Sequence, residues 1–222
     1  VSFDYTDENI DKIISKLSDA RLSKYLYWSK DDKDLAIKLY EANTKVSESL
    51  YTPLQNLEVL IRNEFHRLLS ESYGDEWYEN PMLIKSKQKE RIDKAKETLK
   101  TNITPDRVVA ELSLGFWVNL LNRHMEDLWR KCLHKAFIES EYKLIRKDAH
   151  AELERLRILR NRIAHHEPII HKPYTDNYNK IIEIISWICM DCSEWTESIS
   201  NTEEVVQQHS QLLRGISYVQ TN

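Results

Sequence analysis

Apolar residues recur along this chain with a helical period almost throughout, and no stretch alternates as a strand would. Ile10, Ile13, Ile14 and Leu17 form a one-sided stripe, and Leu22, Tyr25 and Leu26 mark a second short helix. Asp31 or Asp32 offers a carboxylate to the free N–H groups of a long helix beginning near Lys33. That helix is predicted to run to Ser72, burying Leu50, Leu54, Leu57, Leu60, Ile61, Phe65 and Leu68. Pro53 lacks a backbone donor and should kink or split it. Gly74 is a natural stop, because a helix end often needs a left-handed residue.

Asp75 to Leu83 reads as an aromatic loop, followed by a polar helix from about Ser86 to Lys100 that reads as a solvated arm with few apolar anchors. Thr104-Pro105 is a start signal, a capping side chain followed by proline at the first helical position. The apolar run from Val108 to Trp117 should bend near Gly115, and Leu120, Leu121, Met125, Leu128, Trp129 and Leu133 continue it. A helix from about Lys147 to Ile163 turns Leu153, Leu156, Leu159 and Ile163 inward. The last large helix spans about Thr175 to Ser198, with Ile181, Ile184, Ile185, Ile188, Cys192 and Trp195 as its spine. A short helix around Glu203 to Leu213 closes the chain. Long helices with short connections predict an all-α bundle. No Gly/Ser-rich boundary interrupts it, so 1–222 reads as a single domain: an N-terminal extension (1–30), a core bundle (31–198) and a C-terminal helix (199–222).

Composition agrees with a packed helical protein. Among 222 residues there are only three Gly and five Pro, against six Trp and eleven Tyr. Such aromatic content argues against disorder. No apolar run approaches the length of about 18 residues that a membrane span requires, and the polar VSFDYTDEN start is unlike an export signal. Three cysteines are too few for a disulfide framework, so a cytoplasmic, reducing location is expected. The net charge of −4 does not advertise nucleic-acid binding. Its distribution changes that picture: Lys143–Lys172 holds eight Lys/Arg against four Asp/Glu, while the stretch after it holds two against seven.

That basic segment contains Leu159-Arg160-Asn161-Arg162-Ile163-Ala164-His165-His166-Glu167-Pro168 at a helix end. Asn161 and His165 lie one turn apart on one face. Arg160 and His165 are about 140° apart on a regular helix, and a long arginine beside that face can reach the same spot. Arginine grips phosphate through a permanently charged fork. Histidine moves a proton near neutral pH. Asparagine can orient a ribose or the imidazole ring. RNA carries its own nucleophile, the 2′-OH, so these groups suffice for cleavage without a metal. One Arg and one His are sparse for a reaction needing both base and acid, and a second copy across a two-fold axis would complete the set. The plain alternative is an ordinary helix end, where cations are favoured in any case.

RNRIAHH resembles the Arg-x4–6-His motif of HEPN domains. The string LRNRIAHHEPI, with ELSLGFWVNLL (Glu111 to Leu121) and LEVLIRNEFH (Leu57 to His66), resembles the Abi-like, abortive-infection branch of that family over about Leu50 to Trp195. The resemblance implies a HEPN-type helical bundle with additional helices. It also implies a homodimer, and a metal-independent endoribonuclease used as a toxin or against phage. By position it makes Arg160 and His165 the catalytic pair and Asn161 their polar companion. His166 satisfies the motif with one more intervening residue and is the rival. Some members carry a modifiable Tyr two residues after the His; Glu167 stands there, which argues against control by that route. Restraint by an antitoxin, either a protein or a cognate small RNA, is the expected alternative.

Arg62 and His66 mimic the motif at shorter spacing and are candidates to line an RNA groove, or simply a salt-bridged helix face. Arg155, Arg157 and Arg162 either track the RNA backbone or pair with Glu152, Glu154 and their neighbours. Cys189-x-x-Cys192 reads as buried core. His165, His166 and His171 have no fixed companion ligands except Glu167, so no metal and no cofactor are expected. The competing functional class is a non-catalytic RNA-binding or partner-binding module on the same scaffold.

Overall fold

The computed structural model describes residues 3–141, 143–171 and 174–217. Every regular element among them is helical. The chain forms two compact units from discontinuous stretches. The first comprises Val1–Tyr51, Asn161–Tyr178 and Ser200–Asn222; the second comprises Thr52–Arg160 and Asn179–Ile199.

The first unit is built on α1 (Asp7–Leu17), α2 (Asp19–Ser29) and α3 (Lys33–Ser49), with α12 (Thr202–Gln208) and α13 (Ser210–Ser217) packed against α3. Its core is Leu22, Tyr25, Ile37, Leu39 and Val46, with Ile10 and Ile14 of α1. Asp32 is the residue that caps α3, accepting the Leu35 N–H at 3.0 Å. The break at Leu50 follows from Pro53, which has no N–H for the Ser49 carbonyl. The Thr202 hydroxyl donates to that carbonyl instead, at 3.0 Å.

The second unit centres on α4 (Tyr51–Tyr73), whose Leu57, Ile61, Phe65 and Leu68 are buried as expected. Leu60 is half-buried, because it flanks the buried stripe rather than lying within it. Gly74 ends α4 at φ +86°, its N–H bonded to the Ser70 carbonyl at 2.8 Å. Trp77 and Tyr78 of the following loop are buried. The Trp77 ring lies 6.2 Å from Phe116 and 5.9 Å from Trp117. The polar α5 (Ser86–Leu99) is no free arm: Ile92, Ala95 and Gln88 are buried, and the helix packs on α6 (Pro105–Glu111). Lys96 and Lys89 both pair with Glu79; chiefly through Lys96, they hold its carboxyl below the usual range. Thr104 precedes α6 as expected, but its side chain makes no capping bond.

The bend expected near Gly115 falls earlier, at Leu112–Ser113, because the Glu58 carboxylate accepts the Leu114 N–H at 2.9 Å and starts α7 (Leu114–Asn119) there. Gly115 serves close packing instead: a Cβ on it would meet the Arg157 Cδ at 3.4 Å. After α8 (Glu126–Lys131), α9 (Arg146–Ala164) buries Leu153, Leu156 and Leu159 but leaves Ile163 half-buried. The last large helix is two, α10 (Tyr174–Ile188) and α11 (Met190–Ile199). Trp195, expected in the spine, is 56% exposed, because the new helix start at Cys189 rotates the register of α11. Ile188, Cys189 and Cys192 are half-buried rather than core. No helix among the described residues is long and apolar enough to cross a membrane.

Candidate functional site at the exit of α9

The leucine stripe of α9 faces inward, which leaves Arg160, Asn161 and Arg162 partly exposed at its C-terminal end. The boundary between the two units falls within the helix, between Arg160 and Asn161. Beyond it, the Asn161 carbonyl accepts the His165 N–H at 2.9 Å in the last regular turn. The His166 N–H then reaches the Ile163 carbonyl at 3.0 Å and the Glu167 N–H reaches Arg162 at 2.8 Å. This pair of bonds is the Schellman arrangement, which requires a left-handed residue between helix and exit. His166 occupies that position at φ +55°, where glycine is the usual choice.

The exit is anchored from within the first unit. Arg21 of α2 donates to the His166 carbonyl at 2.8 Å and to the His165 carbonyl at 3.5 Å. A guanidinium there satisfies orphan carbonyls and complements the negative end of the helix dipole. Asn43 of α3, itself buried, accepts the Ile169 N–H at 2.7 Å and fixes the chain just past the turn. Pro168, Ile169 and Ile170 are buried, whereas His165 and His166 stand exposed. Neither imidazole makes a hydrogen bond among the described residues, and the half-exposed Asn161 amide makes none either. The sequence alone pointed to neither Arg21 nor Asn43, since each lies over a hundred positions away.

In the second unit the Arg160 side chain is 42% exposed and its Nε lies 3.3 Å from Glu58 Oε2. The same carboxylate caps α7, so Glu58 positions both. The terminal nitrogens of Arg160 make no hydrogen bond among the described residues, which leaves the outer edge of the fork open. Asn161 and His165 thus share a face of the first unit, while Arg160 is held by its own unit's acid.

The flanking arginines are engaged. Arg157 grips Glu154 through two bonds of 2.7 and 2.6 Å and holds that carboxyl below its usual range. Arg162 lies 3.7 Å from Glu167 and 3.5 Å from the Pro168 carbonyl. Arg62 turns its Nε to Asn63 at 3.2 Å. His66 accepts the Trp77 indole N–H on Nδ1 at 2.9 Å. An indole nitrogen only donates, so the His66 proton sits on Nε2, which is 3.5 Å from Asp106. That ring edges a cleft of about 540 Å³ shared with Asn63, Ser70, Glu71, Asp75 and Asp106. Its carboxylates, with Arg67 already committed to Glu64 and Glu71, disfavour a phosphate backbone there. Among the described residues no three His, Cys, Asp or Glu side chains converge as metal ligands.

No protein-family model matches this chain, and neither a curated protein nor a solved structure does. His166→Gly is expected to stabilise the protein by about 1 kcal/mol, since a Cβ at left-handed φ costs about that much. Urea unfolding measures it; a destabilised variant would mean the ring contributes more than its backbone angle costs.

Proposed function

We propose that this chain is a metal-independent endoribonuclease of the HEPN type, acting as a toxin or antiphage effector in the cytoplasm. Two observations support this reading, each within its own unit: the terminal nitrogens of the partly exposed Arg160 make no hydrogen bond among the described residues, and the His165 ring is exposed and makes none either. The 2′-OH of RNA attacks the adjacent phosphorus and the 5′-oxygen leaves. The products are a 2′,3′-cyclic phosphate and a 5′-OH. Arg160 stabilises the charge that builds on the phosphorane oxygens, as preorganised cations do. His165 acts as base or acid, with its counterpart supplied by a second copy in a homodimer. Asn161, one turn from His165, orients the ring or the ribose. An antitoxin, a protein or a cognate small RNA, restrains the activity.

His165 is favoured over His166 because His166 is fixed by its role in the turn. His166→Gly is therefore expected to cleave RNA like the wild type. Incubating the pure protein with total RNA in EDTA tests the reaction class: fragmentation is expected. Cleavage that EDTA abolishes rejects the mechanism, and binding without cleavage makes the chain a non-catalytic RNA-binding module.

A further inference from the structure

Cys189 and Cys192 flank the start of α11 in an arrangement that the nuclease reading does not use. The Cys189 N–H still bonds back to Ile185 at 2.9 Å, closing α10, while its carbonyl accepts the Ser193 N–H at 3.1 Å, opening α11. Cys189 is thus the N-cap of α11, and its sulfur takes the place of a capping oxygen, accepting the Cys192 N–H at 3.3 Å. The second thiol sits on the residue whose N–H is capped, so the two side chains share the first turn. Both are half-buried, within reach of solvent, whereas Cys132 of the same unit is fully buried.

We propose that Cys189 and Cys192 form a redox-active dithiol that exchanges with small disulfides. The Cys189 sulfur caps the first turn of α11 by accepting the Cys192 N–H, and a Cys-x-x-Cys pair at a helix start is a recurrent setting for a reactive sulfur. The Cys192 thiol is held protonated: its hydrogen bond to the Cys189 sulfur, then burial, pushes it up to about 11, with Asp191 and Glu139 adding to the shift. The sulfur at the cap, Cys189, is the attacking one, and Cys192, on the residue whose N–H it caps, is the resolving one. The Cys189 thiolate attacks one sulfur of a small disulfide and expels the other half as a thiolate. Cys192, giving up its proton, then attacks the Cys189 sulfur and expels the second thiol. Two protein thiols are oxidised and one disulfide is reduced to two thiols.

Equilibrating the full chain in mixtures of reduced and oxidised glutathione, then acid-quenching, alkylating and mapping peptides by mass, tests this. A Cys189–Cys192 disulfide is expected, with Cys132 remaining a thiol. Serine caps helices well, so Cys189→Ser is expected to fold normally. Cys192→Ser should trap a glutathione adduct on Cys189. In Cys189→Ser, Cys192 stays half-buried beside Asp191 and Glu139, so it should react at least a few-fold more slowly than Cys189 does in Cys192→Ser. Two free thiols under fully oxidising conditions would overturn the proposal. So would a glutathione adduct persisting in the wild type, or oxidation of Cys132 alongside the pair. Equal reactivity of the two serine variants would overturn the assigned order.

Discussion

Arg160→Ala is expected to fold normally and to lose RNA cleavage by about 10²- to 10³-fold, the range seen when one preorganised stabiliser of transition-state charge is removed. The fold should survive because the Arg160–Glu58 pair is partly exposed, and such pairs contribute under about 1 kcal/mol. Glu58 also keeps its bond to the Leu114 N–H. Arg160→Lys retains the charge but not the fork, so most of the loss should persist. His165→Ala is expected to cost about 10²- to 10⁴-fold, the usual contribution of a positioned acid or base. Its exposed ring makes no hydrogen bond among the described residues, so stability should be unchanged. Initial cleavage rates on one RNA, with circular dichroism as the folding control, give these comparisons. Undiminished cleavage by both folded variants would reject the assignment.

Trp77→Ala is expected to be more destabilising than any of these changes, by about 3–5 kcal/mol, as for other large-to-small changes in a packed core. Trp77 is 1% exposed and its ring contacts Tyr78, Phe116 and Trp117. Its loss would open a cavity where α7 meets the loop after α4. Trp77→Phe keeps much of the packing but removes the indole donor from His66 Nδ1 and leaves it only the longer contact of 3.4 Å with the Ser70 hydroxyl, a loss of up to about 1 kcal/mol beyond the small volume change. Urea midpoints followed by circular dichroism measure both. A cost below about 1 kcal/mol for the alanine variant would mean that the aromatic cluster repacks, contrary to the close packing of protein interiors.

The sequence was most legible where structure is decided locally. Asp32 caps α3, Pro53 separates α3 from α4, and Gly74 ends α4, because each acts within a turn of itself. It was least legible where a distant side chain starts or stops a helix. The break before Leu114 depends on Glu58, and the start of α11 on Glu139 accepting the Met190 N–H at 2.6 Å. Neither carboxylate announces its partner in one dimension, and the missed break at Cys189 is what put Trp195 on the wrong side. At the candidate site, the spacing of Arg160, Asn161 and His165 was visible along the chain. The supports were not: Glu58 under Arg160, and Arg21 and Asn43 holding the exit turn, are contacts that only folding creates. The Schellman turn was also hidden, because a histidine occupies the place where glycine would have advertised it.

The chemistry of the RNA ends left after incubation with the wild-type protein in EDTA bears most directly on the nuclease account. Attack by the 2′-OH must leave a 2′,3′-cyclic phosphate on one fragment and a 5′-OH on the other, and those ends are the expected result. Fragments carrying a 3′-OH and a 5′-phosphate, or RNA that stays intact, would contradict it.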